Sequence, residues 1–271
     1  MKKQAYIVID VALCEDCNNC FMACKDEHVG NCWLPYTDEQ PRHGHKWMDI
    51  RQKERGQYPR IDVCYLPTPC QHCEKPACME AYPDCISRRE DGIILIDPVK
   101  AKGNKDLVNH CPYHAIFWNE ELQVPQKCTM CAHILDNGEA PCMPRCVHSC
   151  PTDAMQFYMM TPEEMALKAE QEHLETLHPE IGAKPHIYYK NLYRFQKLFI
   201  AGGIIKNGEC EENAEVVLNG NGISVSQTTD GFGDFKFDRL EPGEYSIEVN
   251  GKQVKTVQIT ESVNVGSIVI D

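Results

Sequence analysis

The sequence predicts an α+β chain in two structural parts, on three observations. Of its 17 cysteines, 16 fall between Cys14 and Cys150, and only Cys210 lies beyond them. Within that cysteine-rich region two stretches repeat each other in register, each an apolar strand followed by an aspartate. From about residue 200 the pattern changes to short alternating runs, AEVVLNG, ISVSQTT, DFKFDRL, EYSIEVN and VKTVQIT, separated by Gly, Asn, Asp and Pro, as in a small antiparallel β-sandwich. A chain of 271 residues has ample length to bury one or two cores, so size alone demands no special stabilisation.

The N-terminus, MKKQAYIVIDVALCEDC, carries two lysines, but its apolar stretch is short, is broken by Asp10 and is followed by no small-residue cleavage site. It reads as a first β-strand rather than a signal peptide, and no apolar run approaches transmembrane length. Disulfides thereby lose their oxidising compartment and metal ligation gains. Ordinary buried thiols would account for roughly four or five cysteines, hardly for all of them. A formal net charge of -13 speaks against a nucleic-acid or anionic-membrane partner, because no basic surface is available to neutralise phosphates.

The first cysteine run, CEDCNNCFMAC, places Cys14, Cys17, Cys20 and Cys24 in the C-x2-C-x2-C-x3-C spacing of bacterial ferredoxins, although Lys25 rather than Pro follows the fourth cysteine. Three thiolates so spaced wrap one face of a cubane while the fourth points to a neighbouring cluster. Zinc sites instead use two CxxC or CxxH pairs farther apart. A second run supplies Cys128, Cys131, Cys146 and Cys150, closed by Pro151, with its third cysteine displaced by a long loop. If the two runs face each other, Cys150 completes the set Cys14, Cys17, Cys20, and Cys24 completes the set Cys128, Cys131, Cys146. Cys142 rivals Cys146, but Cys146 keeps the x3 spacing to Cys150.

The internal repeat identifies a third set. IVIDVALC, residues 7 to 14, aligns with ILIDPVKA, residues 94 to 101. In that register Ala101, Asn104 and Leu107 stand where Cys14, Cys17 and Cys20 stand, and only Cys111 survives, opposite Cys24. Likewise Cys70, Cys73 and Cys78 match Cys128, Cys131 and Cys146, while Tyr82-Pro83 stands opposite Cys150-Pro151. The missing positions, Ala101, Asn104, Leu107 and Tyr82, are those that would have held one cluster together. The remaining Cys70, Cys73, Cys78 and Cys111 form a complete set. The expectation is three [4Fe-4S] clusters on these 12 cysteines, in a duplicated bacterial-ferredoxin-like domain, with a fourth site lost as a unit.

Cys32, Cys64, Cys85, Cys142 and Cys210 are left as incidental or packing thiols. The 11 histidines, including His43, His45 and His114, lack compact metal spacing and read as surface or interface residues. Lys127 reads as a solvated lysine, with tuning of the neighbouring Cys128 site as its other open role, and Tyr82 as a filler of the vacated site. Thr161 and Glu164 have capping-box spacing with Pro162 at the first helical position, predicting a helix from about 162 to 177. Tyr188, Tyr189 and Tyr193 in KPHIYYKNLYRF then pack against the core or a partner. No phosphate-binding glycine loop and no nucleophile-base pair is found, so the chain itself is expected to do no bond chemistry. The expected division is 1–160 for the cluster domain, 161–199 for a connecting helix and partner-contacting segment, and 200–271 for the sandwich.

This motif set resembles the iron-sulfur subunits of the dimethyl sulfoxide reductase family over about residues 5 to 195. PTPCQHCE, EDGIILIDP, QKCTMCAH and KPHIYYKNLYRF, with the loss of one cluster and the appended sandwich, are more closely similar to the small subunits of that family's transhydroxylases. TTDGFGDFKFDRLEPGEYSIEV resembles transthyretin-like or carboxypeptidase-regulatory β-sandwich modules. The resemblance implies a large catalytic partner holding a molybdenum bis(molybdopterin guanine dinucleotide) centre. It further implies hydroxyl transfer between polyhydroxylated benzenes in an anaerobic cytoplasm, or in the periplasm if the partner carries a twin-arginine signal. Because that net reaction consumes no electrons, the clusters would prime or buffer the metal. Two other readings stay open: electron delivery to a reductive catechol dehydroxylase or another molybdenum reductase, and a free ferredoxin-like carrier with an adhesion-type β module.

Overall fold

The computed structural model describes residues 2–138 and 140–271. The chain divides into two compact units, Met1–Arg51 with Tyr65–Leu192, and Gln52–Cys64 with Tyr193–Asp271. In chain order the first unit contains β1 (Gln4–Asp10), α1 (Asn19–His28), the bases of the hairpin β2 (Met48–Gln57) and β3 (Arg60–Pro69), α2 (Ala77–Ala81), β4 (Ile86–Arg88) and β5 (Ile94–Ile96). A 3-10 turn at Lys105–His110 follows, then β6 (Phe117–Asn119), β7 (Val124–Gln126), α3 (Ala132–Asn137), α4 (Arg145–His148), β8 (Met155–Met160), α5 (Pro162–Gln171) and β9 (Ile187–Lys190).

β1 is the central strand of a β8-β1-β9 sheet, antiparallel to β8 and parallel to β9. Its near-continuous apolar sequence follows from burial on both faces. Tyr6 and Val8 pack on Met165 of α5, whereas Ile7, on the alternate face, lines a cavity among cysteines. Full burial of an isoleucine such as Ile7 or Ile9 contributes about 1.5–3 kcal/mol.

The repeat is visible in the backbone. β1 pairs antiparallel with β8 as β5 pairs with β4. Asp10 accepts from the Ala12 N–H at 2.9 Å, and Asp97 from the Val99 N–H at 2.9 Å, so both strands end in the same aspartate-capped turn. Gly92, at φ +82, makes the tight approach into β5: a Cβ there would stand 2.3 Å from the His186 ring.

α5 has the predicted capping box, Thr161 with Glu164, but ends at Gln171 rather than near 177. His173 takes φ 52 and the chain turns back, so that Glu175 exchanges backbone hydrogen bonds with Tyr189 at 2.8 and 2.7 Å. Tyr189 is fully buried and donates to Pro67 O at 3.0 Å, an intrachain core role.

The second unit holds the outer part of the β2–β3 hairpin, α6 (Tyr193–Gln196), and β10 (Leu198–Lys206), β11 (Glu209–Cys210), β12 (Glu215–Gly220), β13 (Ile223–Thr228), β14 (Asp234–Leu240), β15 (Gly243–Val249), β16 (Lys252–Ile259) and β17 (Val263–Ile270). One sheet runs β11-β10-β14 with β17 on β10, the other β13-β12-β15-β16. Alternate residues of both, among them Ile200, Phe235, Val216, Leu218, Tyr245 and Ile247, share one apolar core. The expected sheets are there, but the first is mixed, since β10 and β17 run parallel. Arg55, its side chain 1 % exposed, pairs with Asp62 and Asp238, while Asp62 also takes Arg194 at 3.0 Å and Lys236 at 3.3 Å.

Candidate metal centres

Three of the four Cys-x-x-C turns, all but Cys17–Cys20, share one unusual conformation. The residue before the second cysteine is left-handed in each: Asp16 at φ 54, His72 at φ 45 and Met130 at φ 52. Asp and His tolerate this region, but methionine does not favour it, and such strain persists where a site fixes it. The turn brings a backbone N–H toward the first sulfur, as for Met130 N on Cys128 Sγ at 3.3 Å. The two Cys-Pro segments repeat each other too, with His114 at φ 56 after Cys111-Pro112 and Asp153 at φ 54 after Cys150-Pro151. Ala115 N reaches back to Cys111 Sγ at 3.4 Å.

These turns bring the twelve expected cysteines into three groups. Cys70, Cys73, Cys78 and Cys111 line a cavity of about 360 Å³. Burial pushes the Cys78 thiol up to about 11, with Cys70 and Cys111 adding and Lys127 opposing. Burial raises Cys73 further, reinforced by Cys70, Cys111 and Cys78. Cys24, Cys128, Cys131 and Cys146 line a second, enclosed cavity. Burial raises Cys24 and Cys146 well above the ordinary thiol value, and each is raised again by Cys128 and Cys131. In the third group burial pushes Cys20 up to about 12, with Cys14, Cys150 and Cys17 contributing. Cys17 of this group is exposed, and Cys14 and Cys150 are half-buried.

The donor set fits a cluster better than a single ion. Among the described residues no three or more His, Cys, Asp or Glu side chains converge closely enough to hold one metal ion. The first cavity's thiols surround a volume instead. Crowded buried thiols resist ionisation unless a cationic core is placed among them, which is how thiolate ligation couples to metal. No cysteine is in a disulfide.

Some residues sit elsewhere than their spacing suggested. Lys127 is buried at 3 % exposure, not solvated. His28, His45, His72 and His186 are buried rather than superficial, and burial, with His133 adding, lowers His28 to about 3. His28 Nε2 stands 4.0 Å from Cys131 Sγ. Nothing in the spacing marked these histidines; the apolar neighbours on either side of His186 and the CxxC position of His72 were the available signals.

At the position of the absent fourth set, Ala101 and Leu107 are fully buried and fill the interior. Tyr82 is only half-buried, its hydroxyl on Asp106 at 3.3 Å and its ring edge-on to His110 at 5.4 Å. Of the remaining cysteines, Cys64 and Cys85 are buried, Cys64 Sγ donating to Arg194 O at 2.9 Å, and Cys32, Cys142 and Cys210 are exposed.

A family model described as a 4Fe-4S dicluster domain matches residues 61–160. The chain is 53% identical to the pyrogallol hydroxytransferase small subunit of Pelobacter acidigallici, over 98% of this chain and 99% of that one. It is 30% identical to a subunit of the tetrathionate reductase of Salmonella typhimurium, over 69% of this chain and 72% of the relative. With the nitrate-inducible formate dehydrogenase iron-sulfur subunit of Escherichia coli it shares 28% identity, over 69% and 68%. The chain therefore belongs to the dimethyl sulfoxide reductase family of iron-sulfur electron-transfer subunits. Within that family its likeness to the pyrogallol hydroxytransferase small subunit runs nearly end to end, the C-terminal strands included.

Proposed function

We propose that this chain is the electron-transfer subunit of a molybdenum transhydroxylase that converts pyrogallol into phloroglucinol, a tetrahydroxybenzene giving up one hydroxyl to pyrogallol and being regenerated in the exchange. The observation that carries this is the end-to-end likeness to the pyrogallol hydroxytransferase small subunit, together with three complete thiol groups. Cys14, Cys17, Cys20 and Cys150 hold one [4Fe-4S] cluster, Cys24, Cys128, Cys131 and Cys146 a second, and Cys70, Cys73, Cys78 and Cys111 a third. Such clusters supply one-electron storage, and the protein sets their burial and hydrogen bonding. Residues 1–160 carry them, 161–199 contact the partner, and 200–271 form a transthyretin-like packing module.

The partner is a large subunit carrying a molybdenum bis(molybdopterin guanine dinucleotide) centre, in a cytoplasmic complex. This chain holds no catalytic residue. Its part is to keep redox equivalents at that centre through a reaction with no net electron demand. One element supports a closed redox cycle: the fourth position of the repeat is packed with Ala101 and Leu107.

The test is the native complex, purified anaerobically and given pyrogallol with a catalytic amount of tetrahydroxybenzene but no electron donor or acceptor. Sustained phloroglucinol formation is expected. Product that forms only with a reduced viologen, and that has lost an oxygen, overturns the reading in favour of a reductive dehydroxylase.

A further inference from the structure

One residue of β5 spends both of its main-chain polar groups on buried side chains. The Ile94 N–H donates to His72 Nδ1 at 3.1 Å, and Ile94 O accepts from Lys127 Nζ, which also donates to Cys128 O at 3.1 Å. An imidazole whose Nδ1 accepts carries its proton on Nε2. That Nε2 is buried and has no partner among the described residues. His72 and Cys70 line both the Cys70–Cys111 cavity and the Cys24–Cys146 cavity, so the two sites are neighbours with His72 between them. Lys127 lines the first cavity and precedes Cys128 of the second, and among the described residues no carboxylate is within ion-pair distance of it. A buried donor and a buried amine without an anion are costly unless what fills the cavities is negative. A cluster held by four thiolates is negative in both of its usual states.

Resting on the cluster assignment above, we propose that Ile94 orients His72 and Lys127 as a polar bridge shared by two adjacent clusters, raising both reduction potentials together while leaving the Cys14 cluster apart. Reduction adds negative charge to an already anionic group. A buried N–H and a buried amine facing that group favour the reduced form. Both are positioning residues, since neither ligates nor touches substrate.

The experiment is an EPR-monitored potentiometric titration of the anaerobic native complex, with iron and labile sulfide measured on the same samples, for wild type, K127M, K127R and H72N. In H72N the amide oxygen can take the Ile94 N–H and the left-handed backbone is tolerated, so chiefly the Nε2 donor is lost. In K127M, two of three one-electron waves are expected to fall by on the order of tenfold in the reduction equilibrium, about 59 mV each, and the third to stay. H72N moves the same waves the same way, and K127R leaves them in place. No movement, equal movement of all three, or K127R shifting as far as K127M overturns the proposal. If K127M does not keep its iron, K127R retaining it supports the bridge, and K127R losing it likewise overturns it. Wild-type iron well short of about twelve atoms per chain sinks the cluster assignment itself, a failure read from the iron assay and not from the potentials.

Discussion

Cys20 and Cys24 stand one turn apart on α1, yet each belongs to a different thiol group. Cys20 lies with Cys14, Cys17 and Cys150, and Cys24 with Cys128, Cys131 and Cys146. The i, i+4 spacing on one helix thus fixes the separation of two sites, which a loop would leave loose.

Replacing Cys24 by serine should therefore remove one cluster and not two. Anaerobic iron analysis of the native complex is expected to fall from about twelve to about eight atoms per chain, with labile sulfide falling in step. Loss of about eight would show that α1 does not insulate one site from the other.

The left-handed spacers make a sharper demand. Asp16→Gly frees a backbone that is already at φ 54, and iron content should be unchanged. Asp16→Ile places a β-branched side chain in that region at a cost of about 1–3 kcal/mol, and the Cys14 cluster should become labile to chelator while the other two resist. Equal lability of both variants would mean that the turn conformation is incidental.

Leu107, aligned with Cys20 in the repeat, is fully buried, so Leu107→Ala should lower stability by about 2–5 kcal/mol. Expected by calorimetry of the full anaerobic protein is a lower thermal midpoint with iron content preserved. An unchanged midpoint would mean that the site collapses freely around the missing side chain.

In the second unit, Arg55→Met leaves Asp62 and Asp238 without their buried partner, a loss of about 3–5 kcal/mol. Burial pushes the Asp62 carboxyl up, but Arg55, Lys236 and Arg194 overcome it and hold it below its ordinary 3.8. A carboxyl depressed on folding contributes stability that is present above its unfolded value and lost as pH falls through the folded one. Wild type should lose stability below about pH 4, and the variant should show a shallower slope in that range. Thermal midpoints of the full chain across pH 3 to 6 would decide; matching slopes would remove Asp62 from the account.

The grouping of the cysteines was legible in their spacing, and the repeat paired one run with another; that these groups ligate three clusters is the reading proposed above. β1, the capping box at Thr161 and the C-terminal strands were legible from periodicity and turn residues. The parallel β10–β17 pair was not, since strand alternation carries no direction. Nor was the burial of Lys127, because its long-range partner, the carbonyl of Ile94, leaves no trace in residue type. His72 offered only its place inside a CxxC turn, where one lone histidine looks much like any other spacer. The early end of α5 was hidden by a sequence, EQEHLETL, whose composition favours continuing the helix.

The apolar filling at Ala101 and Leu107 makes a further thiol group hard to install in this chain. To form a fourth group, Ala101, Asn104, Leu107 and Tyr82 would all have to become cysteine, and the interior around Ala101 and Leu107 would have to open at the same time. Each single step leaves an idle thiol, and at Ala101 or Leu107 a packing fault as well, with no ligand set completed. Descendants of this sequence can go on refining the sites they have far more readily than they can add a fourth.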